Sequence, residues 1–340
     1  MSDSVRYEDV LAAQPIVYQY LPRTPLYEYP SLSRMLGCQF WIKHENHLPV
    51  GAFKVRGGVH FVHSLTADER ARGIVAVSTG NHGQSLAWAC RRIGVRCTVV
   101  VPVIGNADKK SAMRELGAEL IEWGRDFDEA RDFCERLLTR RVSGSALDPQ
   151  TQALVERHPR YVHSANEPKL IAGVGTYALE IIETLPAPDV IIVPIGLGSG
   201  ICGTAIVAKH LRPETRVVGV QSEGAPAVTE SWRSGKIITT ERIETRAEGL
   251  ATRGPAEMTM AIMRRLVDDI VLVSESQIEE AIRLLVKVTH NLVEGAGAAG
   301  TAAAFKIRDQ LKGKTVVSVL SGGNLDLKTL PGILAGGDPG

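Results

Sequence analysis

The sequence predicts an α/β protein of two doubly wound, open-sheet lobes. Three observations carry that expectation. Short β-branched runs alternate with longer amphipathic stretches. The alternation comes in two blocks, separated by a looser region at 142–168. Glycine-rich turns stand at the ends of strands, at 77–83, 193–203 and 319–326. Strands alternating with helices imply parallel sheets covered on both faces. Ligands then sit at the carboxyl ends of the strands and in the cleft between the lobes.

In chain order, GIVAVS (73–78) reads as a buried strand, and QSLAWACRRIG (84–94) as a helix with Leu86, Ala87, Cys90 and Ile93 on its apolar side. VRCTVVV (95–101) is a strand stopped by Pro102. NADKKSAMRELG (106–117) is a helix ending at a glycine. AELIEW (118–123) is a strand, and DFDEARDFCERLLTRR (126–141) a helix. In the second block DVIIVPI (189–195) is a strand and GICGTAIVAKHL (200–211) a helix. RVVGVQ (216–221) and DIVLVS (269–274) are strands, ESQIEEAIRLLVKVTH (275–290) an amphipathic helix, and TVVSVL (315–320) the last strand. GAGAAGTAAAF (295–305) reads as a tightly packed helix start. The domain expectation is a large domain from 1–66 and 149–340, and a small mobile domain from 73–148.

Composition narrows the function. With 340 residues, 44% hydrophobic and 23% charged, the chain has room for a full core without staples. A net charge of +1, with no basic stripe, argues against nucleic acid. Five scattered cysteines without a CxxC read as reduced thiols, which suits the cytoplasm. The first thirty residues lack the pattern of a signal peptide, and no apolar run is long enough to span a membrane.

Four stretches carry the chemistry. GAFKVRGG (51–58) sets Lys54 behind Phe53 at a helix start. VSTGNHGQ (77–84) ends a strand in Ser78, Thr79, Gly80, Asn81 and His82. Its hydroxyls, amides and free N–H groups suit a carboxylate better than ordinary capping, which needs only one such residue. VPIGLGSGICG (193–203) offers Gly196, Leu197, Gly198, Ser199 and Gly200 between a strand and a helix, a phosphate cradle at a helix N-terminus. VLSGGNLD (319–326) ends a strand in Ser321 and a glycine pair; a hydroxyl there could bond a ring nitrogen, but taken alone the stretch reads as a glycine turn. The pairs His44/His47 and His60/His63 lack a third ligand, so no metal is expected.

A lysine, a phosphate cradle, a carboxylate loop and a strand-end serine together resemble the fold-type II pyridoxal-phosphate enzymes, the tryptophan synthase β-like architecture. The resemblance is to the threonine/serine dehydratase and serine racemase branch, over almost the whole length. GAFKVRGG resembles its SFKxRG motif, with Ala52 for the usual serine. STGNHGQ, GLGSG and SGGN resemble its S-x-GNHxQ, tetraglycine-type and pyridine-nitrogen segments. The resemblance implies that Lys54 bonds the aldehyde of pyridoxal 5'-phosphate and that Phe53 packs by the ring. Asn81 bonds the ring hydroxyl, residues Gly196 to Gly200 hold the phosphate, and Ser321 faces the ring nitrogen. Ser78, Thr79, Asn81 and His82 take the substrate carboxylate. It also implies a homodimer.

The implied reaction is removal of the β-hydroxyl from an L-β-hydroxy amino acid, giving a 2-oxo acid and ammonia. L-Threonine, L-serine, 3-phenylserine and 3-hydroxyaspartate are the substrates in view. Freed Lys54 takes the α-proton, and a neutral Ser321 favours elimination over aminotransfer. Departures from the family shape the expectation. Thr79 stands where racemases of the branch place a serine. Gln221, Ala225 and Ala227 replace the oxygen ligands of the branch's divalent-cation site, and no regulatory domain follows SGGN. A racemase or β-replacement enzyme on the same scaffold, and a nucleotide-binding protein built on the 196–200 loop, are the alternatives.

Overall fold

The computed structural model describes residues 5–139 and 148–336. Among these residues, ten strands form two sheets. The strands are β1 (Leu26–Glu28), β2 (Gln39–His44), β3 (Ile74–Val77), β4 (Cys97–Val101) and β5 (Glu119–Glu122), then β6 (Arg160–Val162), β7 (Val190–Pro194), β8 (Arg216–Ser222), β9 (Asp269–Val273) and β10 (Thr315–Leu320). The larger sheet has the order β1-β2-β10-β7-β8-β9, and the smaller β5-β4-β3-β6. Among these ten strands the edge pair β1–β2 is antiparallel and the other strand pairs are parallel. Two parallel sheets in two lobes are what the alternation predicted.

Both faces of each sheet are buried, which is why the central strands read as continuous apolar runs. In β7, Ile191 and Val193 enter the cluster on one face, while Val190 and Ile192 enter the cluster on the other. In the smaller sheet Ile74 and Ala76 face one cluster, and Val75 and Val77 the other. Each of these valines and isoleucines contributes roughly 1.5–3 kcal/mol of burial.

The structure adds elements that the pattern did not announce. β2 breaks apolar alternation because Lys43 and His44 are buried polar residues. The helix Pro168–Thr184 is buried along nearly its whole length, so no polar stripe marks it. The helix expected from 84 starts at Asn81, directly after Gly80. The helix expected to 141 ends at Leu138, and residues 140–147 lie outside the described residues.

The domain boundaries also differ. β6 belongs to the smaller sheet, and the helix Pro149–Arg157 packs Leu154 and Val155 onto that lobe. The small lobe therefore passes the expected limit at 148. Val55, Val59 and Val62 of the Lys54 helix share a cluster with Ile74, Leu86 and Val99. That helix lies on the seam between the lobes rather than wholly in the larger one. Among the described residues no helix is long and apolar enough to cross a membrane.

Candidate active site

The four stretches meet at the seam. The chain before Lys54 runs along the turn after β10. The Phe53 N–H donates to the Ser321 carbonyl at 3.0 Å, and Gly323 N–H to the Gly51 carbonyl at 2.9 Å. Ala52 and Gly322 form an isolated antiparallel bridge. This pairing fixes Lys54, the first residue of the helix Lys54–His63, next to Ser321.

Two glycines after Lys54 exist for close approach. A Cβ on Gly57 would lie 2.6 Å from the Leu170 carbonyl oxygen, and one on Gly58 2.4 Å from Ser85 Oγ. Neighbouring helices thus press onto the Lys54 helix from two sides. Ser85 uses the contact, donating from Oγ to the Lys54 carbonyl at 2.8 Å.

Arg56, two residues on, is fully buried. Its Nε donates to Glu45 at 2.7 Å, and one terminal nitrogen to Glu180 at 2.7 Å. The other reaches Thr24 at 3.2 Å and Glu45 at 2.9 Å. Lys43 joins the cluster, donating to Glu180 and to the Thr24 carbonyl. Burial opposes charge on Lys43, Arg56 and Glu180, yet Arg56 and Lys43 hold the Glu180 carboxyl below the usual range. Two cations facing two carboxylates tie the Lys54 helix to the helix Pro168–Thr184 and to the end of β2.

The Lys54 ammonium donates to Ser199 Oγ at 2.8 Å and lies 5.3 Å from the centre of the Phe53 ring. Burial lowers its pKa to about 8. Phe53 meets Tyr177 edge to face, and Tyr177 donates to the Gly200 carbonyl at 3.0 Å. The loop Gly196–Gly200 leads from β7 into the helix Ser199–Leu211. Gly198 caps it at φ 100°, a left-handed conformation that a side chain would strain. Thr259 Oγ1 donates to the Leu197 carbonyl and holds the turn from behind.

The second loop faces it from the small lobe. Ser78 is turned inward: its Oγ accepts from Gly80 N–H at 3.1 Å and Gly83 N–H at 2.9 Å. Thr79 is exposed. The Asn81 amide is oriented at both ends. Its Nδ2 donates to Glu294 at 2.7 Å, and its Oδ1 accepts from Asn324 at 2.8 Å. His82 is bonded to the Val162 carbonyl, and its Nε2 is buried with no partner among the described residues. Burial first, and the Lys54 charge second, lower its pKa to about 3, so the ring is neutral.

Sequence reasoning missed several neighbours. Glu294, which the sequence marks only as standing with Gly295 where the family has Glu-Pro, is buried at the N-cap position of the helix Gly295–Lys306 and accepts from Asn81; burial raises its pKa. Lys109 and Arg253 cross the cleft, Lys109 to Glu248 and Arg253 to Asp126 at 2.7 Å. The Asn of SGGN was a visible signal for Asn324; a lysine on an exposed helix pattern gave none for Lys109. Gln221, which stands in place of a cation ligand, accepts from the N–H and the hydroxyl of Thr229, both at 2.8 Å. His44 ends a strand, so His44 and His47 do not share a helix face, although their rings stack 5.0 Å apart.

The donor set fits pyridoxal phosphate. A desolvated amine, a glycine turn at a helix N-terminus bonded to it, an oriented amide and an imidazole nitrogen with no partner among the described residues gather at the seam.

Comparison with known proteins agrees. A family model described as pyridoxal-phosphate dependent enzyme matches residues 17–322. An L-threonine ammonia-lyase of Thermotoga maritima is 36% identical over 97% of this chain and 78% of its own. The L-threo-3-hydroxyaspartate ammonia-lyase of Saccharomyces cerevisiae is 34% identical over 98% of both. The structure of maize serine racemase superposes with a TM-score of 0.88 at 29% identity, covering 97% of each chain. Lysine, glycine turn and oriented amide therefore sit in a chain that belongs to the pyridoxal-phosphate-dependent enzymes of fold-type II.

Proposed function

We propose that this chain is an ammonia-lyase acting on an L-β-hydroxy amino acid: threonine, serine or a bulkier 3-substituted serine. The observation that carries the reading is the Lys54 amine, desolvated and held on Ser199 at the head of the glycine turn. The activities named for the threonine and 3-hydroxyaspartate relatives support it.

Each residue has a part in this reading. Lys54 is the cofactor lysine, Gly196 to Gly200 cradle the phosphate, Phe53 flanks the ring, and Ser321 serves its nitrogen. Asn81, held by Asn324 and Glu294, presents its second amide N–H to the ring hydroxyl. The Asn81 and His82 backbone N–H groups, which open the helix Asn81–Ile93 ahead of the Gly83 N–H that Ser78 holds, take the substrate carboxylate, with Thr79 and the neutral His82 ring beside it. Ser78 acts one step back, by shaping that turn. Bound pyridoxal phosphate supplies an electron sink that makes the substrate Cα–H bond labile. Lys54 Nζ takes that proton; with its pKa lowered to about 8 it holds and releases protons near neutrality. The β-hydroxyl leaves as water, and water returns to give the 2-oxo acid and ammonia.

Thr79 favours a second reading, since its exposed hydroxyl could return a proton to the opposite face and racemise the substrate. Assembly as a cytoplasmic homodimer belongs to the main reading, and the dimer is checked by light scattering. The deciding assay is a panel of β-hydroxy amino acids, scored for 2-oxo acid and, by chiral separation, for inverted substrate. Oxo acid from at least one member is expected, with the unreacted substrate keeping its configuration. Inversion without oxo acid would replace the lyase by a racemase.

A further inference from the structure

Lys109 lies on the helix Ala107–Glu115 of the small lobe, and its side chain runs against the turn that opens the helix Asn81–Ile93. Its Cδ is 3.4 Å and its Nζ 3.8 Å from where a Cβ on Gly80 would be. The residue is only 9% exposed. Its ammonium is paired with Glu248 of the large lobe, whose side chain is 44% exposed.

A buried cation at this place is out of keeping with its surroundings. The helix beside it presents the positive end of its dipole and, beyond the Gly80 and Gly83 N–H groups that Ser78 holds, the N–H groups of Asn81 and His82. A positive charge there is unfavourable unless an anion shares the space, and Glu248 is the anion paired with it in this structure, with the buried Glu294 carboxyl close enough to feel both charges. The proposed reaction brings another one to the same turn, the α-carboxylate of the amino acid. Glu248 and this carboxylate are chemically alike, so exchanging them leaves the local charge balance unchanged. Glu248 is half in water already and regains hydration when released. A cavity of about 290 Å³, lined by Lys109, Glu248, Glu294 and Asn324 among others, gives it room to withdraw.

We propose that Lys109 is a substrate-binding residue whose ammonium meets the α-carboxylate at the 78–83 turn, with Glu248 holding its place until substrate arrives. The proposal rests on the function proposed above. It makes the Lys109–Glu248 contact a competitor of substrate rather than a permanent tie between lobes.

The two partners must then act in opposite directions. The holoenzyme and its variants Lys109→Gln, Lys109→Arg and Glu248→Gln are compared for KM with the preferred substrate. The dissociation constant of glycine, an amino acid with no leaving group, is read from the visible spectrum. Lys109→Gln is expected to raise both constants about tenfold or more, the loss of one charged hydrogen bond, with the effect concentrated in KM rather than kcat. Lys109→Arg keeps the charge and restores most of the loss. Glu248→Gln removes the competitor and lowers both constants. If Glu248→Gln leaves them unchanged, or raises them in parallel with Lys109→Gln, the pair is structural and the proposal fails. If Lys109→Gln does not fold, the Glu248→Gln result decides alone. A wild-type protein without visible cofactor band or turnover would instead overturn the function itself.

Discussion

The two sides of the Lys54 amine are built differently. Behind it, Arg56, Lys43, Glu45 and Glu180 are almost entirely buried, and each charge has its partner. In front, the 78–83 turn holds a buried His82 nitrogen with no partner among the described residues and an exposed Thr79, and it reaches the large lobe through Asn81. The cleft's cross-lobe ion pairs have part-exposed carboxylates. The back wall fixes one atom in space. The front leaves donors free for a ligand and joins the lobes by contacts that water can replace. Buried charges are expensive, and here they are spent where position matters more than stability.

The contrast ranks what mutations should do. The largest effect is expected at the wall. Arg56→Met leaves Glu45 and Glu180 under-paired in the interior and should cost about 3–5 kcal/mol, read by denaturant unfolding. Near-native stability would show that the wall is not the rigid half. Next comes Gly58→Ala, which drives a methyl into Ser85. A loss of about 1–3 kcal/mol is expected, with weaker cofactor retention because Ser85 also holds the Lys54 carbonyl.

A third test probes the amine between the two sides. Only the unprotonated amine attacks an aldehyde. With Lys54 lowered to about 8, cofactor uptake by apoprotein should rise through that pH and level above it. That amounts to about tenfold between pH 7 and 9. A rise that continues towards 10.5 would mean the amine is solvated. The smallest effect is expected at the rim. Arg253→Gln breaks a part-exposed pair with Asp126 and Asp128 and should cost under about 1 kcal/mol, while loosening the lobes enough to raise proteolysis at the cleft. A larger loss of stability would mean the rim is as fixed as the wall.

The front of the site is legible in the sequence and the back is hidden. Backbone loops that bind anions need glycines and hydroxyls in short runs, so Gly196 to Gly200 and Ser78 to His82 stand out in one dimension. The wall is assembled from residues far apart, with Arg56 and Glu180 separated by 124 positions. Nothing local in ENH, KVRG or YALEII announces that their charges will be buried together. The same cluster disguises β2, whose inward Lys43 defeats the apolar pattern of a strand. Lys109 and Glu248 escape notice for the same reason: their contact exists only once the lobes are side by side. Gly57 and Gly58 read in the sequence only as neighbours of a lysine, and in the fold they are contact points for Leu170 and Ser85.

The most direct test is chemical. Purified protein is loaded with pyridoxal phosphate, reduced with borohydride and digested, and the peptides are mapped by mass. The pyridoxyl phosphate group should sit on Lys54 alone, within the peptide that also carries Arg56, and Lys54→Ala should carry none. A modified lysine elsewhere, or no stable adduct at all, would contradict the assignment of this amine.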